Sequence, residues 1–349
     1  NRVRILSASL IVWSALTAMT GFARNYLHLF VLRIGIGVGE AGCVPPAHSL
    51  ISDLVPPARR GVALSFYTAG IPIGSLLGLS LGGWLGTVLG WRQTFIVFGL
   101  IGLVLAVAMM LTVREPSRAL QGQQEAPKPL PFRQSLQRLM RIRSYMLTLA
   151  GLGFAGFAVV GLLQWLPSYY GRTFQLTTKE IGLTFGLAYG LGSLAGMLVG
   201  GAIGDQLWRR DPRWPFWMVI SAYFAALPLM LLSVYSGSPL QAMCFVALAF
   251  AILSLPYGPI YAMVQNIVPP RCRALAVALT LFATNLIGAG LGPLLIGGIS
   301  DLAAAAQAEN PLRVGILAGL CFFPLPPVLY AFATFVVKAD LAREAEIDP

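Results

Sequence analysis

Charge is scarce in this chain: 13 acidic and 24 basic side chains are spread over 349 residues, or 11%, against about a quarter in an ordinary soluble domain. Histidine is scarcer, with two residues. The four cysteines (Cys43, Cys244, Cys272 and Cys321) have no spacing that builds a disulfide framework or a metal site. Three of them sit inside apolar runs. No Ser–His or Asp–Asp arrangement occurs at membrane depth, which argues against an intramembrane enzyme. No metal or organic cofactor is expected.

What fills the sequence is hydrocarbon. It is 57% hydrophobic with a mean hydropathy of +0.75, arranged in apolar runs of about 20 residues, the length that crosses a bilayer. These runs predict ten membrane helices, near 5–23, 27–55, 61–84, 94–113, 145–170, 181–203, 214–235, 239–267, 274–299 and 312–337. The fold class is therefore all-α integral membrane. Spans 27–55 and 239–267 are too long to stand straight across a bilayer. Pro45 and Pro46 in the first and Pro256 and Pro259 in the second predict kinks, because proline removes a helix hydrogen bond. Thr177 and Glu180 form a capping box that should start the helix after them.

The formal charge of +11 suggests nucleic acid until it is mapped. Of the 24 basic residues, 18 fall on alternate connections: Arg2, Arg4, Arg59, Arg60, seven within 114–143, Arg209, Arg210, Arg213, Arg271, Arg273, Lys338 and Arg343. By the positive-inside rule those connections face the cytoplasm, which puts the C-terminus there. The basic balance is topology, and no nucleic-acid partner is expected.

An internal repeat organises the chain. "ISDLVPPARRGVAL" (51–64) aligns with "VQNIVPPRCRALAV" (264–277) at an offset of 213, pairing Arg60 with Arg273. Similar halves in parallel orientation are a transporter architecture with a site near the midplane. Residues 1–113 read as an N-terminal bundle, 114–143 as a linker whose basic second part is amphipathic, and 144–349 as a C-terminal bundle of six helices. The first bundle holds four spans, and the offset would place the counterpart of Asp205 ahead of residue 1. The expectation is that two helices of that bundle lie outside this sequence.

"RIGIGVGEAGCVPP" (33–46) carries the sharpest signal, because a charge inside hydrocarbon is costly and marks function by default. At about 100° per residue, Arg33, Gly37 and Glu40 share one face, while Gly35, Gly39 and Gly42 share the other. The glycine face predicts close approach of a neighbouring helix, which leaves the charged face for the interior. Gly37, Gly39 and Gly42 also spell G-x-G-x-x-G, but no strand precedes them, so a dinucleotide site is rejected. A carboxylate in low dielectric holds a proton more readily, and a nearby guanidinium opposes this. Glu40 and Arg33 are therefore the candidate proton-coupling pair, with a plain salt-bridge staple as the alternative. The offset maps them onto Val246 and Leu253, so the later half has no equivalent. Tyr67, Phe154, Gln164, Trp165, Tyr189, Tyr257, Tyr261 and Asn285 are candidates to line an apolar cavity with polar handles. Asp53, Arg59 and Arg60, with Gly201, Asp205, Arg209 and Arg210, read as cytoplasmic gate clusters.

"GGAIGDQLWRR" (200–210) resembles the loop signature of the major facilitator superfamily at Gly201, Asp205, Arg209 and Arg210; Gln206 and Trp208 depart from it. "RIGIGVGEA" resembles its arginine-bearing fourth helix, with a glutamate added. Together with "SLISDLVPPARRGVALSFYTAGIPIGSLLG" and "WLPSYY", the chain is most similar to the spinster branch, including its bacterial members. The resemblance implies a fold of two pseudo-symmetric bundles, alternating access, and amphipathic, lipid-like substrates in the animal members. The resulting expectation is a monomeric, proton-coupled secondary transporter of the bacterial inner membrane, surrounded by lipid and moving a small amphipathic substrate. A drug or organic-anion transporter is the runner-up, and a passive channel is a more distant reading.

Overall fold

A computed structural model describes residues 2–43, 46–47, 50–51, 54–55, 60–113, 115 and 131–347, without the side chains of 60–65, 205, 209 and 345–347. The described residues are helical throughout, with no strand among them. Nine stretches among them are long and apolar enough to cross a membrane. The expected span 27–55 lies partly outside the described residues, and its described start is a 16-residue helix.

The helices run in the order α1 (Arg2–Thr20), α2 (Tyr26–Ala41), α3 (Arg60–Val88), α4 (Trp91–Thr112), α5 (Phe132–Arg141), α6 (Arg143–Thr173), α7 (Thr178–Arg210) and α8 (Trp214–Val234). After these come α9 (Pro239–Ser254), α10 (Tyr257–Ile267), α11 (Arg273–Ala283), α12 (Gly292–Ala305), α13 (Pro311–Leu320) and α14 (Leu325–Ile347). Local chemistry sets the ends. Asn25 caps α2 by accepting from the His28 N–H at 2.9 Å, and Asn310 caps α13 by accepting from the Arg313 N–H at 3.1 Å; both satisfy a donor that the first turn leaves free. Helix α7 starts at Thr178, where the Thr177 and Glu180 pair places it. The two long spans break as their prolines require: α2 stops at Ala41, ahead of Pro45 and Pro46, and α9 gives way to α10 across Leu255 and Pro256. A third break, between α13 and α14 at Pro324, divides the span expected as one helix over 312–337.

The chain forms two compact units, Asn1–Gln124 with Thr178–Leu183, and Glu125–Thr177 with Thr184–Pro349. In the first, α1 is wedged against α4, where Gly99 and Gly102 let Ser14 and Ala18 approach. Near its end, Val3, Leu6, Cys43, Ala47 and Leu50 make a small buried cluster. In the second, two buried tyrosines find carbonyl partners for their polar tips: Tyr145 donates to Ala276 O at 3.0 Å and Tyr169 to Val234 O at 2.7 Å. Helices α3 and α11 begin at Arg60 and Arg273, the positions that the repeat offset pairs. The halves then diverge. Thr284–Leu291 continues α11 as a π-helix, a rare widening frequently found at functional sites.

Three glycines on α7, one every fourth residue, bring that helix against α9. A Cβ on Gly192, Gly196 or Gly200 would overlap the carbonyl oxygen of Ala247, Ala251 or Leu255 respectively. Gly196→Leu is expected to destabilise the protein by about 1–3 kcal/mol through overpacking. Thermal unfolding in detergent should show a lowered midpoint. Gly201 faces open space, so an unchanged midpoint in Gly201→Leu is the matching control.

Candidate functional site

Helix α2 presents its two faces as its glycines dictate. Gly35 abuts Leu16, Gly39 abuts Trp13 and Gly42 abuts Ser9, so α1 lies along the small face. On the other face Arg33 and Glu40 are exposed, and an added side chain at Gly37 would meet open space. No direct ion pair joins Arg33 and Glu40 among the described residues. The guanidinium instead lies over the Phe95 ring of α4, with its central carbon 5.3 Å from the centroid, within cation–π range. It still acts on the Glu40 carboxylate through space.

Two residues join the pair from nearby. Cys43, one turn beyond Glu40, is within electrostatic reach of both Glu40 and Tyr67, and its thiol donates to Leu6 O at 3.8 Å. Tyr67, proposed from sequence as a cavity residue, is within electrostatic reach of Cys43. Sequence reasoning missed Cys43 and Phe95. The three-residue step from Glu40 to Cys43 on a helix could have signalled the first; Phe95 is on a different helix and leaves no sequence trace.

The other cavity candidates belong to the second unit. Tyr257 and Tyr261 pack ring to ring at 4.9 Å, and Tyr189 packs on Phe250 at 4.8 Å while lying within electrostatic reach of Tyr257. Tyr261 lies within electrostatic reach of Thr284, the first residue of the π-helix, whose hydroxyl donates to Thr280 O at 2.9 Å. Its neighbour Asn285 is exposed and donates to Leu281 O at 2.9 Å. These residues form one aromatic and polar group. Trp165 does not join it, because its indole N–H is spent on Pro293 O at 2.9 Å and its ring packs on Gly297. Phe154 is half-buried and Gln164 exposed on α6.

Of the gate candidates, Asp53 and Arg59 lie outside the described residues, as do the side chains of Arg60, Asp205 and Arg209. Arg210 is exposed. The connection after α7 does carry an ion pair, but through Asp211, whose carboxylate accepts from Lys338 Nζ at 2.7 Å. In the first unit Glu115 accepts from Arg2 Nε at 2.8 Å and from the Val3 backbone N–H at 3.0 Å. The Val3 N–H and the Arg2 guanidinium hold Glu115 below the ordinary carboxylate range. The Lys338 ammonium, with the Arg213 backbone N–H, does the same for Asp211. Each folded-state value lies below the unfolded one, so the stabilisation is present above the unfolded pKa and is lost as pH falls through the folded one. The thermal midpoint is expected to fall from about pH 5 downward. The drop should be shallower in Glu115→Gln, and an identical acid limb would show that the pair contributes nothing.

Residues 1–293 match the Major Facilitator Superfamily, and the chain belongs to that family. It is a multi-pass membrane transporter, not an enzyme. It is 32% identical over 343 residues to an MFS-type efflux pump of Mycolicibacterium smegmatis, covering 98% of this chain and 79% of that protein. It is 28% identical to the sphingosine-1-phosphate transporter SPNS2 of Xenopus tropicalis, covering 98% of this chain and 69% of that protein. Among solved structures, a bacterial homologue of the human lysosomal transporter spinster, in an inward-facing and unoccupied conformation, superposes with a TM-score of 0.82. That likeness is at 25% identity and covers 97% of this chain and 84% of the other. Within the superfamily, the chain is therefore spinster-like.

Proposed function

We propose that this protein is a proton-coupled secondary transporter that moves a lipid-like, amphipathic molecule by alternating access. The observation that carries the reading is the exposed charged face of α2, where Glu40 and Arg33, which lies over the Phe95 ring without an ion pair, stand opposite the face that α1 covers. Glu40 is the proton carrier. When Arg33 turns its fork to an anionic headgroup, the carboxylate loses its neighbouring charge and takes a proton; when the substrate leaves, the guanidinium favours the charged form again. On the first unit Tyr67 offers an aromatic surface and a hydroxyl to such a molecule; within the second, the Tyr189, Tyr257, Tyr261 and Asn285 group is an aromatic and polar surface of its own. Protons are the only coupling agent, the protein works as a monomer, and nucleic acid has no part. It sits in a bacterial inner membrane with its C-terminus in the cytoplasm, an orientation that the basic connections support. Similarity to a sphingosine-1-phosphate transporter supports the substrate class.

Similarity to an efflux pump favours a second reading, a drug or organic-anion transporter. Counterflow in reconstituted vesicles separates them. Labelled lysophospholipid should be driven uphill by unlabelled lysophospholipid and not by short dicarboxylates. Uphill movement of dicarboxylate alone would establish the second reading, and passive equilibration without counterflow would indicate a channel.

A further inference from the structure

Helix α5 is amphipathic in a specific way. Ser135 and Leu139 are buried, Phe132 and Met140 are bare at 66% and 61% exposure, and Gln134, Gln137, Arg138 and Arg141 occupy the polar flank. A helix of this kind lies in the membrane interface at the level of the headgroups. Between its polar flank and the end of α14 there is a cavity of about 310 Å³. Three arginines and two carboxylates line it, and both carboxylates are already committed. Glu344 accepts from Arg138 Nη2 at 2.9 Å and from its Nε at 3.3 Å, and Asp340 accepts from the Ser144 backbone N–H at 2.7 Å. Arg141 and Arg343 have no such partner among the described residues, and beside them are the amides of Gln134 and Gln137. With Arg138 paired to Glu344, Arg141 and Arg343 outweigh the single charge of Asp340, so the cavity is net positive, and it comes with neutral donors.

We infer that this cavity seats the phosphate of an anionic phospholipid, with Arg141 and Arg343 as its charge partners and Gln134 and Gln137 as further donors. Guanidinium forks match phosphate oxygens in pairs, and basic pockets at the cytoplasmic surface of helical membrane proteins suit anionic headgroups. A lipid fits better than a soluble phosphate because bare Phe132 and Met140 set α5 at headgroup depth, level with lipid phosphates. The bound lipid would bridge the linker helix and the C-terminal helix, reinforcing the Arg138–Glu344 pair. This site is built from other residues than the charged face of α2, and its test does not depend on transport.

The test is native mass spectrometry of the delipidated full chain incubated with phosphatidylglycerol or phosphatidylcholine. Wild-type protein should retain phosphatidylglycerol in preference to phosphatidylcholine. Arg141→Gln with Arg343→Gln should weaken that retention about tenfold, the loss expected of charge-assisted hydrogen bonds. Arg141→Lys with Arg343→Lys keeps the charge without the fork and should give an intermediate value; it also serves if the glutamine pair does not fold. Equal retention of the two lipids, or unchanged retention in the substituted proteins, overturns the site. Displacement of the lipid by millimolar inorganic phosphate, together with protection by phosphate alone, overturns the headgroup assignment.

Discussion

Glu40→Gln is expected to abolish the response of transport to an imposed pH gradient while leaving substrate exchange largely intact. The amide has the shape and hydrogen-bonding pattern of a protonated carboxyl but cannot release a proton. Binding and reorientation that need only the neutral side chain should continue, and steps that need the charged one should stop driving accumulation. Reconstituted vesicles give both readouts: gradient-driven accumulation should fall to the level of simple equilibration, and counterflow at symmetric pH should stay within a few-fold of wild type. A wild-type response to the gradient would end the proton-carrier role and return the residue to structure. Glu40→Asp is a useful companion, because it keeps the acid and shortens its reach toward Arg33.

Arg33→Ala should be more damaging and less selective. Removing the guanidinium deletes the anion-binding fork and the charge that acts on Glu40, and it leaves the carboxylate without a neighbouring cation. Transport should fall by an order of magnitude or more, the loss expected for a charge-assisted contact of about 1.5–3 kcal/mol. The loss should appear both in counterflow and in accumulation, which distinguishes it from Glu40→Gln. Arg33→Lys should rescue little, since an ammonium neither presents a planar face to Phe95 in the same way nor offers a bidentate fork. Full activity in the lysine variant would mean that only charge is needed and that the stacking on Phe95, at 5.3 Å, is incidental.

Much of this architecture is a local matter, and local matters are legible. A helix in hydrocarbon must satisfy its own backbone, so a run of apolar residues is enough to announce one. The breaks after Ala41 and Ser254 follow from prolines that can be counted. The glycine face of α2 could be foreseen as a contact because periodicity alone puts Gly35, Gly39 and Gly42 together, and the side chains of Leu16, Trp13 and Ser9 do lie against them. The same periodicity placed Arg33 and Glu40 on the opposite face. The break at Pro324 is equally local, but the apolar residues around it hide it within a single run of hydrocarbon.

Contacts between helices are a different matter, because nothing in an apolar stretch specifies which neighbour it meets. That Arg33 lies over Phe95, that Trp165 spends its indole N–H on Pro293, and that Asp211 is held by Lys338 are decided by packing between segments distant in the chain. The π-helix at Thr284–Leu291 packs by the same kind of contact, its Gly288 against Gly156 of α6. By itself, the sequence determined a helical membrane protein, the positions of its charges along the chain, and the face on which Arg33 and Glu40 stand, since these depend on hydropathy and on a period of 3.6. Only the tertiary structure decided which groups those charges meet. In hydrocarbon the attraction between helices comes from close packing and a few polar contacts rather than from apolar burial, and packing partners are set in space.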